Sequence, residues 1–323
     1  MSILYCDFQY VKTGHHDQDF LMMNKYCNGK LTHIKYNEKG LFKNISVISK
    51  ILKRKEPKTI ATVSFLNLFL SSIITNKWNY NIVVHFIPRV HFAMHKFIFS
   101  IILKKCNKVF VFADCVKDDI EKTLGKRYQS KIFLLHSREF FFKMKSDLNQ
   151  NTVLCIGNLN SMKNIEDLLL VIQENRFDNM NFRFICKGIS DRISKISFSN
   201  KFKNSITIED RFPSLEEYKN ELYAATFTYL DYTSDYGIRC SAVMLDSLAQ
   251  GTPVITNDNL SFTSFIKKYK CGYVFKNTDE LKILLKKIDS SDIPILPLSK
   301  KLMDDYSEKN NKLLAKELLE CEK

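Results

Sequence analysis

The sequence predicts an α/β protein of two Rossmann-like, doubly wound domains facing each other across a cleft, and three observations lead there. A chain of 323 residues, 45% of them hydrophobic, exceeds one ordinary core and fits two of roughly 150 residues each. Apolar strand-like runs alternate with helical periodicity, pause at one polar stretch and then begin again. Only nine glycines occur, and in the second half most fall where a strand or helix ends, the places where a sheet delivers backbone to a ligand.

In the first half the strand-like runs are 3–8, 32–36, 59–64, 81–86, 108–112 and 132–135. Helical spacing appears at 17–27, 41–53, 90–105 and 114–124. Residues 146–151 (SDLNQN) are polar and read as a linker, so the first domain is expected over 1–145 and the second over 146–297. In the second domain strands are expected at 153–157, 182–187, 206–208, 227–231, 253–256 and 272–275. Helices are expected at 164–173, 214–224, 241–250, 262–269 and 279–288. Residues 298–323 are charged and amphipathic, and are expected to form a helix crossing back to the first domain.

The run 229–256 (YLDYTSDYGIRCSAVMLDSLAQGTPVIT) is the most informative stretch. A short strand gives way to a polar loop around Gly237. Ser241 then stands where it can cap a helix carrying Ala242, Leu245, Leu248 and Ala249 at helical spacing. Gly251 ends the helix and Pro253 opens the next strand. A helix beginning beyond the carboxyl end of a strand presents free N–H groups and a positive dipole end, which suits a phosphorylated ligand.

Charge is distributed unevenly. Residues 1–145 hold 25 Lys and Arg against 10 Asp and Glu, whereas the remainder holds 24 against 25. The positive half calls for a polyanionic neighbour, and helix-like residues 41–55 place Leu41, Ile45, Ile48 and Leu52 on one face with lysines on the other, a pattern that fits a packed helix of the first domain first and a helix lying on anionic lipid second. Nucleic acid is not expected, because no recognition motif accompanies the charge. The nine cysteines are scattered with no CxxC pair, as in a cytoplasmic protein with reduced thiols. The start MSILYCDFQY lacks the features of a signal peptide, and the apolar stretch 65–74 is too short to span a bilayer. Neither GxGxxG nor GxxxxGK[ST] occurs, which argues against a nicotinamide dehydrogenase and a P-loop NTPase.

Four segments in order resemble bacterial family 4 glycosyltransferases: CIGNLNSMKN at 155–164, ICKG at 185–188, SLEEYKNELYAATFTYLDY at 214–232, and VMLDSLAQGTPVI at 243–255. The last is similar to that family's E-A-M-A-x-G-x-P-V signature. The resemblance covers about residues 152–276 and implies the GT-B fold, with a nucleotide diphosphate sugar as donor, retention of anomeric configuration, and no metal or other cofactor. Lysine, arginine and a helix N-terminus can supply the leaving-group stabilisation such a transfer needs.

Carried over residue by residue, the resemblance assigns Gly157, Lys163, Lys187, Gly188, Arg239, Ser241 and Asp246 to the donor, with Lys163 and Arg239 on the diphosphate and Asp246 on ribose. His85, His16 and Asp235 become the catalytic candidates. Two departures stand out: Asn158 replaces an arginine, and Ile238 replaces the glutamate that contacts the transferred sugar. The expected function is transfer of a sugar to a lipopolysaccharide, O-antigen or capsule precursor by a cytoplasmic enzyme peripheral on the inner face of the membrane. The alternative implied by Ile238 and Asn158 is a nucleotide-sugar-binding or partner protein with impaired catalysis.

Overall fold

The computed structural model describes residues 3–8, 14–36, 49–50, 53, 55–62, 73, 80–84, 93–135, 151–194, 205–239, 241–293 and 299–319. The chain divides into two compact units. One comprises Met1–Glu139, Ile238–Cys240 and Tyr306–Lys323, and the other Phe140–Gly237 and Ser241–Asp305.

In the first unit, strands β1 (Ile3–Phe8), β2 (Leu31–Tyr36), β3 (Lys58–Thr62), β4 (Tyr80–Val84), β5 (Val109–Val111) and β6 (Ile132–Leu134) form a parallel sheet in the order β2-β1-β3-β4-β5-β6. Successive side chains of a strand face opposite ways. Leu4 and Cys6 of β1 accordingly pack with Phe99 and Ile102 of helix Ala93–Lys105 and with Val116 and Ile120 of helix Asp114–Leu124. Ile3 and Tyr5 pack on the other face with Phe20 and Met23 of helix Gly14–Tyr26 and with Ala315 and Leu318 of helix Glu308–Leu319. Asn81 Nδ2 donates to Leu318 O at 3.0 Å and Lys108 Nζ to Glu317 Oε2 at 2.6 Å, which fixes that last helix to the sheet.

The chain end differs from the single helix expected over 298–323. Two helices form, Lys300–Asp305 and Glu308–Leu319, because Tyr306 is buried at the break and Ser307 starts the second helix by accepting from Asn310 N–H at 3.3 Å. Most of the expected helix 41–53 lies outside the described residues.

The second unit contains β7 (Asn151–Asn158), β8 (Met180–Lys187), β9 (Ser205–Glu209), β10 (Phe227–Leu230), β11 (Val254–Asn257) and β12 (Gly272–Phe275), all parallel and ordered β12-β11-β10-β7-β8-β9. Val153 and Cys155 pack against Leu168 and Ile172 of helix Glu166–Glu174 and Leu281 and Leu285 of helix Thr278–Asp289. Local sequence sets these helices. Ser214 and Glu217 close a reciprocal capping box at the start of helix Leu215–Ala224, and Asn277 accepts from Glu280 N–H at 2.9 Å. The chain builds outward from β7 through β8 to β9, then returns to place β10 on the other flank of β7. The carboxyl ends of β7 and β10 therefore form the topological switch point, where an open α/β sheet leaves a crevice.

Candidate functional site

At that switch point β7 ends in Gly157, whose φ of +104° lies in the region glycine adopts without a Cβ penalty. The following loop turns back over β10. Asn164 N–H donates to Asp231 O at 2.9 Å, Thr233 N–H donates to Met162 O at 3.0 Å, and Lys163 and Tyr232 pair as an isolated antiparallel bridge. The Lys163 side chain is thereby aimed across the strand end. Its ammonium lies 3.5 Å from Ile156 O and 5.9 Å from the centre of the Tyr232 ring, and a Cβ added at Gly157 would stand 3.6 Å from it. That is ordinary van der Waals contact, so the positive φ rather than the space beside the ammonium is what calls for glycine at 157.

The second element is helix Ala242–Ala249. Ser241 caps it, its hydroxyl accepting from Met244 N–H at 3.2 Å while lying 3.0 Å from the Tyr232 phenol. Both Ser241 and Tyr232 are buried, so the Ser241 side chain is engaged in holding the helix, and any anion at this end would be met by first-turn N–H groups other than that of Met244. One turn further on, Asp246 is buried and accepts from Tyr218 Oη at 3.1 Å. The helix is anchored beneath by Ser247, which donates to Thr228 Oγ1 at 2.7 Å and lies 2.9 Å from Thr252 O.

Asp231, immediately after β10, is 4% exposed and receives a hydrogen bond from Tyr229 Oη at 3.1 Å. Burial, reinforced by the neighbouring charges of Asp167 and Glu166, pushes its carboxyl up to about 7, against the pull of the Tyr229 hydrogen bond. A narrow hollow beside it is lined by Cys155, Lys163, Cys186, Tyr229 and Asp231. Burial raises both thiols, Cys155 well above its ordinary value and Cys186 to about 12. They are neutral packing groups at physiological pH, and neither is a nucleophile.

The remaining candidates have different surroundings. Lys187 Nζ lies 3.2 Å from Asp210 Oδ1, and the same carboxylate accepts from Gly188 N–H at 2.9 Å and Ser190 N–H at 3.0 Å. Those hydrogen bonds, Gly188 foremost, hold Asp210 far below the usual carboxylate range. Gly188 is left-handed, at φ +90°. Asp235 is exposed in the turn Ser234–Tyr236. Arg239 is half-buried and groups with the first unit, as does Ile238, which packs against that unit's apolar core. His16 sits in helix Gly14–Tyr26, and His85 lies outside the described residues.

The structure thus joins Gly157, Lys163 and Ser241 through Tyr232, with Asp246 in the helix that Ser241 caps, and it gathers Lys187 and Gly188 around Asp210. Sequence reasoning missed Asp231, Tyr232, Asn257 and Asp210. For the first two a signal existed, since residues just beyond a strand's carboxyl end are where open sheets carry function. Against the expectation that the sequence lacks an obvious DxD motif, Asp17-Gln18-Asp19 has that spacing, and it falls in helix Gly14–Tyr26.

Residues 136–292 match the family model described as Glycosyl transferases group 1. No curated protein matches the chain by sequence. Among solved structures, HepE of Anabaena in complex with UDP-glucose superposes with a TM-score of 0.72 at 10% identity, covering 99% of this chain and 99% of that one. The lipopolysaccharide outer core galactosyltransferase WaaB gives 0.67 at 13%, covering 98% and 100%. A glycosyltransferase from Rickettsia africae ESF-5 gives 0.65 at 15%, covering 99% and 100%. The carboxyl-terminal half is therefore similar to the group 1 glycosyl transferases, in a chain whose two parallel sheets and flanking helices have the GT-B two-domain fold.

Proposed function

We propose that the protein is a glycosyltransferase, family 4-like, that moves a sugar from a nucleotide diphosphate sugar to a surface-glycan precursor, with retention and without a metal. The observation that carries this reading is the pairing at the β7/β10 switch point of a fixed ammonium, Lys163, with a capped helix N-terminus, Ser241. Both features stabilise negative charge on a departing diphosphate. In this reading Lys163 and the first-turn amides of helix Ala242–Ala249 hold the diphosphate, and Asp246 binds ribose hydroxyls. Arg239, Lys187 and Gly188 complete the donor side, and His85, His16 and Asp235 serve the transferred sugar. HepE was crystallised with UDP-glucose and WaaB is a lipopolysaccharide galactosyltransferase, which supports a uridine donor and a surface-glycan acceptor here.

A thermal-shift screen of nucleotide sugars tests the reading, because a ligand that binds only the folded protein stabilises it by mass action. One uridine or guanosine diphosphate sugar is expected to raise the melting temperature by several degrees, and EDTA is expected to leave that shift and turnover unchanged. Silence across the whole screen, repeated by calorimetry, would remove the proposal.

The acceptor reading includes an anionic membrane surface on the cytoplasmic side. Its support is the positive excess of residues 1–145 and helix Ala93–Lys105, which carries no acidic residue and exposes Lys96 and Lys104 beside Phe97, itself 68% exposed. No helix of the described residues is long and apolar enough to cross a membrane. Retention on anionic liposomes but not on RNA at about 150 mM salt is the expected result.

One observation favours a second reading, that of a donor-binding protein with impaired catalysis. Ile238 stands where the resembled family has its sugar-contacting glutamate, and its side chain packs into apolar surroundings. Donor binding without transfer or donor hydrolysis would select this alternative.

A further inference from the structure

We propose that Tyr232 is a positioning residue that holds the Lys163 loop and the amino end of helix Ala242–Ala249 at one fixed spacing for the diphosphate of a nucleotide ligand. The inference rests on the donor reading above. Each part of Tyr232 is held by a different segment. Its main chain is clamped by the Asn257 amide, Tyr232 N–H donating to Asn257 Oδ1 at 3.3 Å and Asn257 Nδ2 donating to Tyr232 O at 2.7 Å. The same residue forms the backbone bridge to Lys163.

Its ring is buried against Tyr236 and Phe262, with centroids 4.0 and 5.1 Å away, and lies under the Lys163 ammonium at 5.9 Å. That distance is within cation–π range. Its hydroxyl reaches the cap, 3.0 Å from Ser241 Oγ.

A phenol has two side-chain dihedrals and a rigid ring. With the main chain clamped and the ring wedged, the hydroxyl has one place to go. The ammonium is referenced to the ring face and the cap to the ring's far end, so the two groups proposed to bind charge share a single ruler. Phenylalanine would fill the aromatic cluster equally well. A buried hydroxyl instead requires a partner, and here that partner is the residue that starts the helix. Since Ser241 Oγ already accepts the Met244 N–H, the phenol completes its hydrogen bonding and fixes where the first turn begins.

Calorimetry with UDP and GDP, and with UMP and GMP, on the wild type, Tyr232→Phe, Ser241→Ala and the double variant tests this. Tyr232→Phe keeps the ring beneath Lys163 and removes only the bond to Ser241. The expected result is a dissociation constant for the diphosphate raised about tenfold, with the monophosphate changed by less than about twofold and the apo melting temperature nearly unchanged. The double variant should bind no more weakly than the weaker single one, because both substitutions break the same link. Diphosphate binding unchanged in Tyr232→Phe, or diphosphate and monophosphate weakened equally, would overturn the positioning role while leaving the donor reading intact. Failure of the wild type to bind either diphosphate would overturn the donor reading and this inference together.

Discussion

The phenol of Tyr229 donates to the carboxylate of Asp231 at 3.1 Å, inside a site where burial has already raised that carboxyl from 3.8 to about 7. Between those two values the folded protein binds more protons than the unfolded chain. The group's stabilising contribution is thus fully present below about pH 4 and is lost as pH rises through 7. At about 1.4 kcal/mol per pH unit the loss is at most about 4 kcal/mol. Asp231→Asn should remove most of this slope. Urea unfolding at pH 5 and pH 8 measures it: the wild type should lose stability on the order of 2–3 kcal/mol more than the variant between the two, and parallel losses would contradict the assignment.

Asp246 accepts from Tyr218 Oη at 3.1 Å, so its carboxylate is oriented before any ligand arrives. Asp246→Ala should weaken binding of a nucleotide diphosphate sugar about tenfold or more, since one charge-assisted hydrogen bond contributes about 1.5–3 kcal/mol. Tyr218→Phe should cost about threefold, acting only through orientation. Titration of both variants by calorimetry checks the order. A larger loss for Tyr218→Phe than for Asp246→Ala would place ribose recognition elsewhere.

Much of this fold was legible from side-chain chemistry. Buried parallel strands read as continuous apolar runs, and residues 153–156 announce themselves that way. The Ser241 cap was equally plain, because its signal is local. The links that make a site were not. Tyr232 reaches Ser241 across a polar loop, Asn257 clamps Tyr232 from the next strand, and Asp210 reaches back to Gly188 from beyond β9. The first pair depends on the path of that loop and the other two on sheet topology, neither of which a spacing rule encodes. The break at Ser307 was missed for a different reason. Its capping signal was present, but the amphipathic pattern running through it hid it.

Gly272 carries a prediction about packing alone. A Cβ placed there would stand 2.2 Å from Val254 O on the neighbouring strand, and both atoms belong to the β11/β12 pairing. Backbone cannot move aside as a side-chain tip can. Gly272→Ala should therefore destabilise the second unit by about 3 kcal/mol, at the upper end of overpacking costs. Chemical denaturation reads this directly, and a change below about 1 kcal/mol would mean the strands separate more easily than their register implies.

In the proposed function Lys163, held over the end of β7, binds the phosphates of a nucleotide sugar. Calorimetric titration of uridine and guanosine diphosphate sugars into the wild type and Lys163→Ala tests it most directly. At least one donor should bind the wild type and bind Lys163→Ala at least about tenfold more weakly, the cost of removing a charged hydrogen-bond donor. Equal affinity of the two proteins for that donor, or no binding to the wild type, would contradict it.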